Sequence, residues 1–177
     1  MSHPGAFLDR DGTLIEDVHH LHDPARIRVL DGVPEALRAL RAAGYKLVLV
    51  SNQSGVARGI FTEAHVDAVN EALQGLLGLR FDAIHTCPHH VDGVVEVYAR
   101  ACDCRKPSPG MLIRAIEALD LDPARSFIVG DRRSDAEAGL TLGVRGYRVR
   151  SGPTANDPDH VDSLPDLAAV VRRHLGG

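Results

Sequence analysis

What this chain lacks narrows it first. It has no apolar run long enough to cross a bilayer; the longest stretches, around Leu47 to Val50, fall far short. No basic segment followed by an apolar run opens it, so no signal peptide is expected. Basic residues are not in excess: 20 Lys and Arg stand against 24 Asp and Glu, a formal net charge of −4. That leaves no polybasic footprint for nucleic acid or an anionic membrane. Cysteine is scarce and odd in number, and three cysteines argue against a disulfide framework. There is no internal repeat and no low-complexity tract. A cytoplasmic protein without nucleic-acid or membrane partners is therefore expected.

What remains is an ordinary globular composition, 44% apolar and 25% charged over 177 residues. One domain spanning residues 1–177 is the simplest expectation, large enough to bury a core without covalent staples. Short β-like runs alternate with helical periodicity. Ala6 to Leu8 reads as a strand and Val33 to Ala43 as an amphipathic helix, with Pro34 in its first turn and Gly44 past its end. Lys46 to Val50 reads as a central strand, followed by a helix that Thr62 caps and that runs to about Leu77. Phe81 to Thr86 is a weaker strand candidate, and residues 87–109 are irregular. Then come a helix (Gly110 to Leu119), a strand (Phe127 to Val129), a helix (Ser134 to Leu142) and a strand (Val144 to Val149). After a loop at Gly152 to Asp159, a short strand near Val161 and a helix from about Leu164 to His174 close the chain. The alternation predicts an α/β fold with a doubly wound parallel sheet, whose ligands sit at the carboxyl ends of the strands.

Four segments carry chemistry. Asp9-Arg10-Asp11-Gly12-Thr13 ends the first strand, where residues two apart project to one side. One aspartate can attack an electrophile while the other shuttles a proton. Ser51-Asn52-Gln53-Ser54-Gly55 supplies a hydroxyl and backbone amides, Arg105-Lys106-Pro107 a cation, and Gly130-Asp131 with Asp135 further acidic groups for a metal. Phosphoryl transfer needs this inventory: a carboxylate nucleophile, an acid/base, and cations to neutralise a dianionic phosphate. Each segment alone has a bland reading, since Ser51-Asn52 and Gly130-Asp131 are also common turn and cap sequences. Their order relative to Asp9 decides for the chemical one.

All three cysteines fall between Cys87 and Cys104, in Cys87-Pro88-His89-His90 and Cys102-Asp103-Cys104. Three thiolates and one imidazole make a closed tetrahedral zinc site, structural rather than catalytic because no position is left for water. His89 and His90 both stand within reach of that role.

In order and spacing the four motifs resemble those of the haloacid dehalogenase superfamily of phosphatases. The resemblance implies Asp9 as nucleophile and Asp11 as general acid/base, with Ser51 and Lys106 holding the transferring phosphoryl group. It implies Mg²⁺ on Asp9, the backbone carbonyl of Asp11, and Asp131, with Asp135 in a supporting role. The cysteine array before Arg105-Lys106, the Asn52 to Gly59 segment and Lys106-Pro107-Ser108-Pro109-Gly110-Met111 are similar to the heptose bisphosphate phosphatases of that superfamily. The resemblance runs from Phe7 to Leu167. It points to His89 as the fourth zinc ligand beside Cys87, Cys102 and Cys104. It also implies substrate contacts from Asp17, Val18, His19, His20, Asn52, Gln53, Ser54, Arg105 and Arg132.

Two features depart from the family pattern: a histidine-rich first loop with His19, His20 and His22, and Ser51 where threonine is common. No insertion is large enough for a cap domain, so the zinc loop at 87–104 is expected to wall the site, and a monomer is expected. The implied function is removal of the 7-phosphate of a small phosphorylated sugar, heptose 1,7-bisphosphate, for nucleotide-heptose synthesis feeding lipopolysaccharide or another glycoconjugate. A histidinol-phosphate phosphatase is the nearest alternative; Arg105 suits a retained phosphate better than that substrate's amine. A non-catalytic phosphate-binding module is the third, and it would have no need of Asp9.

Overall fold

A six-stranded, wholly parallel sheet organises the protein in a computed structural model that describes residues 2–153 and 162–176. Its strands are β1 (Gly5–Leu8), β2 (Lys46–Asn52), β3 (Ala83–Cys87), β4 (Phe127–Gly130), β5 (Arg145–Val149) and β6 (Asp162–Leu164), in the order β3-β2-β1-β4-β5-β6. Five helices connect them: α1 (Val33–Ala42), α2 (Glu63–Leu77), α3 (Gly110–Leu119), α4 (Arg133–Leu140) and α5 (Leu167–Leu175).

Strand alternation sorts the core into two layers. Ala6, Leu8, Leu47, Leu49, Phe127 and Val129 face α1, α2 and α5, where they meet Leu37, Leu40, Val69, Leu73 and Val170. Phe7, Val48, Val50 and Ile128 face α3 and α4, meeting Met111, Leu112, Ala115 and Ala138. Both faces of the central strands are covered, which is why they read as continuous apolar runs. Among the described residues every element belongs to this three-layer arrangement, and none forms a cap.

The elements match their expected positions with local differences. β2 extends through Ser51 and Asn52, which pair with Thr86 and Cys87; a strand-exit turn expected there begins two residues later. Leu164 belongs to β6, not to the last helix. That helix starts at Leu167 because the Asp166 side chain accepts a hydrogen bond from the Ala169 amide at 2.8 Å, capping it there. The short strand expected near Val161 is β6, although Val161 itself and most of the Gly152 to Asp159 loop lie outside the described residues. Sequence periodicity missed two short 3₁₀ turns, Pro24–Arg26 and Pro123–Arg125, each preceded by an aspartate that accepts from the amide two residues on.

The chain runs outward from β1 through β2 to β3, then crosses back to place β4 on the other side of β1. That reversal opens a crevice beyond the carboxyl ends of β1 and β4. Asp9 follows β1 and Asp131 follows β4.

Candidate active site

Beyond those two strand ends lies a cluster of buried charge. The Lys106 ammonium donates to Asp9 Oδ1 at 2.8 Å and to the Val50 carbonyl at 2.7 Å, and stands 2.6 Å from Asp135 Oδ1. Asp135, in the first turn of α4, also accepts the Arg132 amide on Oδ2 at 2.9 Å. Room for that carboxylate depends on Gly130: a Cβ there would come within 2.2 Å of it. Gly12 turns with φ +80 against the Asp131 carboxylate, where a side chain would meet it at 2.8 Å.

Three carboxylates, Asp9, Asp131 and Asp135, crowd around the Lys106 ammonium. Burial first, then Asp135 and Asp131, pushes the Asp9 carboxyl up to about 8 against the opposing pull of Lys106. Burial and Asp135 likewise push Asp131 up to about 7. Burial alone would lower Lys106, but Asp135 and Asp9 outweigh it and hold the ammonium above its ordinary range. Oxygens of Asp9, Asp131 and Asp135 lie within 4.8 Å of one another. Three clustered carboxylates are hard oxygen donors that fit a divalent cation such as Mg²⁺. The side chain of Asp11 is outside this group.

Asp11 is instead gripped from the side. Arg10 Nε donates to its Oδ2 at 3.1 Å and Arg10 Nη2 reaches Oδ1 at 3.4 Å. Gln53 Nε2 donates to the same Oδ2 at 2.9 Å and to Ser51 Oγ at 2.8 Å. Ser51, Gln53 and Asp11 are thereby linked at the mouth of the cluster.

These groups open into a cavity of about 720 Å³. Asp9, Lys106 and Asp135 are buried at its floor, while Arg58 and Arg132 are exposed at its rim. Arg132 leans toward Asp17, 3.6 Å away. Among the described residues neither Arg58 nor Arg105 pairs with a carboxylate; Arg58 Nη2 lies 3.4 Å from His90 Nε2, and Arg105 Nη1 donates to the His89 carbonyl at 3.4 Å. His19 and His20, with successive positive φ of 54 and 59, also line the cavity, their rings tilted 52° to each other with centroids 4.2 Å apart. The turn is held by Asp17 Oδ1, which accepts the His19 amide at 2.9 Å. Burial, His19 and Arg58 lower the His20 pKa and favour its neutral ring.

Cys87, at the end of β3, meets Cys104, Cys102 and His89 at the base of the loop that follows. The Sγ of Cys104 lies 2.7 Å from that of Cys87 and 3.4 Å from that of Cys102, with His89 Nδ1 3.3 Å from it. The four donor atoms fall within 4.8 Å of one another, a set that suits zinc. His90 points away, its Nδ1 accepting the Asp92 amide at 3.1 Å. Burial and the Cys104 contact push the Cys87 thiol up, so a bare cluster disfavours the thiolates that a cation would stabilise.

The expected residues thus converge, with some in other positions than a substrate contact requires. Asn52 lines the cavity, but its side chain grips the backbone of Lys106 in both directions, at 3.1 Å each. Val18 is absent from the cavity wall and packs on the main core, as its apolar side chain favours. Sequence reasoning missed Arg10, Asn70, Arg58 and the cavity position of His90, and gave Asp135 too small a part. One signal was available for Arg10. Between two aspartates on one face it must point to the other, into the core, where a charge needs a partner.

A family model described as HAD-hydrolase-like matches residues 103–173. The D-glycero-β-D-manno-heptose-1,7-bisphosphate 7-phosphatase of Escherichia coli strain K12 is 42% identical, over 96% of this chain and 94% of its own. That of Haemophilus influenzae is also 42% identical, over 94% and 96%. Among solved structures, the D,D-heptose 1,7-bisphosphate phosphatase of B. bronchiseptica, complexed with magnesium and phosphate, superposes with a TM-score of 0.83 at 32% identity, covering 98% of each chain. A HAD-like phosphatase from Mesorhizobium loti gives 0.85 at 34%, covering 98% of this chain and 88% of that one. Fold and site together define a haloacid dehalogenase-like phosphatase, an enzyme that hydrolyses phosphomonoesters. More narrowly, the chain belongs to the family of the D-glycero-β-D-manno-heptose-1,7-bisphosphate 7-phosphatases.

Proposed function

We propose that this enzyme removes the 7-phosphate of D-glycero-β-D-manno-heptose 1,7-bisphosphate, the anomer carried in the names of its relatives. The observation that carries it is the division of the cavity: a buried Asp9–Lys106–Asp135 floor for one phosphate and, for another, two arginines that have no carboxylate partner among the described residues, Arg58 and Arg105. A bisphosphate satisfies both ends; the amine of histidinol phosphate would meet cations at the second.

In the reaction, an Asp9 oxygen attacks phosphorus while Lys106 and Ser51 hold the phosphoryl oxygens. The bond from phosphorus to the sugar oxygen breaks, its electron pair stays on that oxygen, and Asp11 gives the oxygen a proton. Water then attacks the aspartyl-phosphate and passes a proton to Asp11. The bond to Asp9 breaks, returning the carboxylate and releasing inorganic phosphate. Asp9, Asp131 and the Asp11 carbonyl, with Asp135 alongside, would hold Mg²⁺, which when bound offsets charge on the phosphoryl oxygens. Cys87, His89, Cys102 and Cys104 would hold a structural zinc, two residues from Lys106.

Arg105, with Arg58 and His90 nearby, receives the retained 1-phosphate. Asp17, His19, His20, Ser54 and Arg132 flank the sugar, Gln53 serves chiefly Asp11, and Val18 and Asn52 support loops. We further propose one domain over residues 1–177, acting as a monomer in the cytoplasm. The test is kcat/KM with Mg²⁺ on the α and β heptose 1,7-bisphosphates and on histidinol phosphate. Preference for the β sugar is expected, and preference for histidinol phosphate would overturn the assignment.

A further inference from the structure

Arg10 is, with Arg148, among the largest fully buried side chains of the described residues, at 0% exposure, yet it sits between the two aspartates of the site. A buried guanidinium is costly unless each face is matched. Here one edge, Nε and Nη2, lies along the Asp11 carboxylate, and Nη1 donates to Asn70 Oδ1 of α2 at 2.9 Å. Asn70 is itself 3% exposed, and among the described residues its Nδ2 has no hydrogen-bond partner, so the contact of its side chain is the one its oxygen makes with Arg10. From the cavity side, Gln53 Nε2 closes on Asp11 Oδ2. Three nitrogens thus close on Oδ2, Arg10 Nε and Nη2 at 3.1 Å each and Gln53 Nε2 at 2.9 Å, while Oδ1 has only the longer 3.4 Å contact of Nη2.

We propose that Arg10 is a positioning residue, locked from behind by Asn70, which with Gln53 pins Oδ2 of Asp11 and leaves Oδ1 as the oxygen that gives and takes the proton. This rests on the reading of Asp11 as the general acid/base. A carboxylate held by a side-on fork cannot rotate about its terminal bond without breaking two charge-assisted hydrogen bonds. Its unpinned oxygen then stays aimed at the cavity through both half-reactions. The lock is supplied by α2, an element outside all four sequence motifs.

The test uses leaving groups that differ in their need for a proton. A sugar alkoxide requires one as it departs; 4-nitrophenolate does not. Since kcat/KM reports on steps through the first irreversible one, here formation of the aspartyl-phosphate, it isolates the proton donation. Asn70→Ala should lower kcat/KM on heptose bisphosphate by about tenfold or more, a fraction of what general acid catalysis contributes, and barely change it on 4-nitrophenyl phosphate. On the aryl substrate kcat should still fall, because hydrolysis of the intermediate needs Asp11 as base. Asn70→Asp, which keeps an oxygen toward Nη1 and replaces an unused donor, should restore the sugar reaction.

Equal losses on both substrates, or no loss on the sugar, would overturn the proposal. Should Asn70→Ala not fold, Arg10→Lys, which keeps the charge but not the fork, must show the same selective loss, and an unselective one sinks the idea equally. Wild-type protein that turns over neither ester would instead sink the phosphatase reading.

Discussion

Protons and the divalent cation compete for the same carboxylates, and the competition can be measured. Asp9 is held up at about 8 and Asp131 at about 7, both far above the 3.8 of an unperturbed aspartate. Between about pH 4 and pH 8 the metal-free folded chain keeps protons that the unfolded chain has released, so these groups cost stability as pH rises through that window. Four units at about 1.36 kcal/mol each set the ceiling for Asp9 at about 6 kcal/mol. The two sites titrate as a coupled pair, so their joint effect is less than a sum. Histidines lowered by burial, His85 and His174 among them, work in the opposite sense below about pH 6.5. The informative quantity is therefore the difference between wild type and Asp9→Asn, both stripped of metal. Asp9→Asn should melt higher at pH 8, with the gap closing toward pH 4. In calorimetric titrations Mg²⁺ should displace protons within this window, so its affinity should rise with pH and level off above about pH 8. At a hundred times its Kd, Mg²⁺ adds about 2.7 kcal/mol, which for a chain of this size raises the melting temperature by roughly 5–10 °C. An affinity that changes less than about threefold between pH 6 and pH 8, or an Asp9→Asn protein that melts lower at pH 8, would refute the reasoning.

Three other outcomes follow from the same geometry. Gly130→Ala should push the Asp135 carboxylate off Lys106, because a Cβ would stand 2.2 Å from it; Mg²⁺ affinity and kcat should both drop, seen by calorimetry and steady-state kinetics. Arg105→Gln should raise KM for the bisphosphate about 10- to 100-fold, the worth of one charge-assisted contact, while a heptose 7-phosphate lacking the second phosphate is unaffected. Chelation of zinc should loosen residues 87–106 in hydrogen exchange and impair turnover through Lys106, whose backbone is tied to Asn52; unchanged activity after verified removal would break that coupling.

The sheet and the outer site were legible because both are written locally. Apolar runs such as Leu47 to Val50 identify central strands, and a motif at each strand end needs only chain order to converge. Cys87, Cys102 and Cys104 were readable from spacing and ligand chemistry, whereas the choice of His89 over His90 came from the family resemblance. Arg10, Asn70 and Arg58 were not, because each matters through a partner distant in sequence: Arg10 and Asn70 are 60 residues apart, and Arg58 and His90 are 32 apart. Asn70 lies within the helix expected from Thr62 to Leu77, and nothing in its local sequence singles it out. Asp135 was visible as an acid near Asp131, but its ion pair with Lys106 depends on how α4 leaves β4.

The strand order has a consequence for how the protein is made. Asp9 follows β1, a strand whose far edge must wait for β4. Between Asp9 and Asp131 lie more than a hundred residues of synthesis, about 6 to 24 s at usual elongation rates. Throughout that interval β1 can pair with β2 alone, leaving a flat apolar edge with unused amides and carbonyls. The nascent chain is thus exposed to mispairing at the strand that will carry its nucleophile, and a holding chaperone would find its binding site there. Catalytic competence arrives only when β4 docks, so the synthesis of residues 127–131, not that of the nucleophile, sets when the enzyme becomes active.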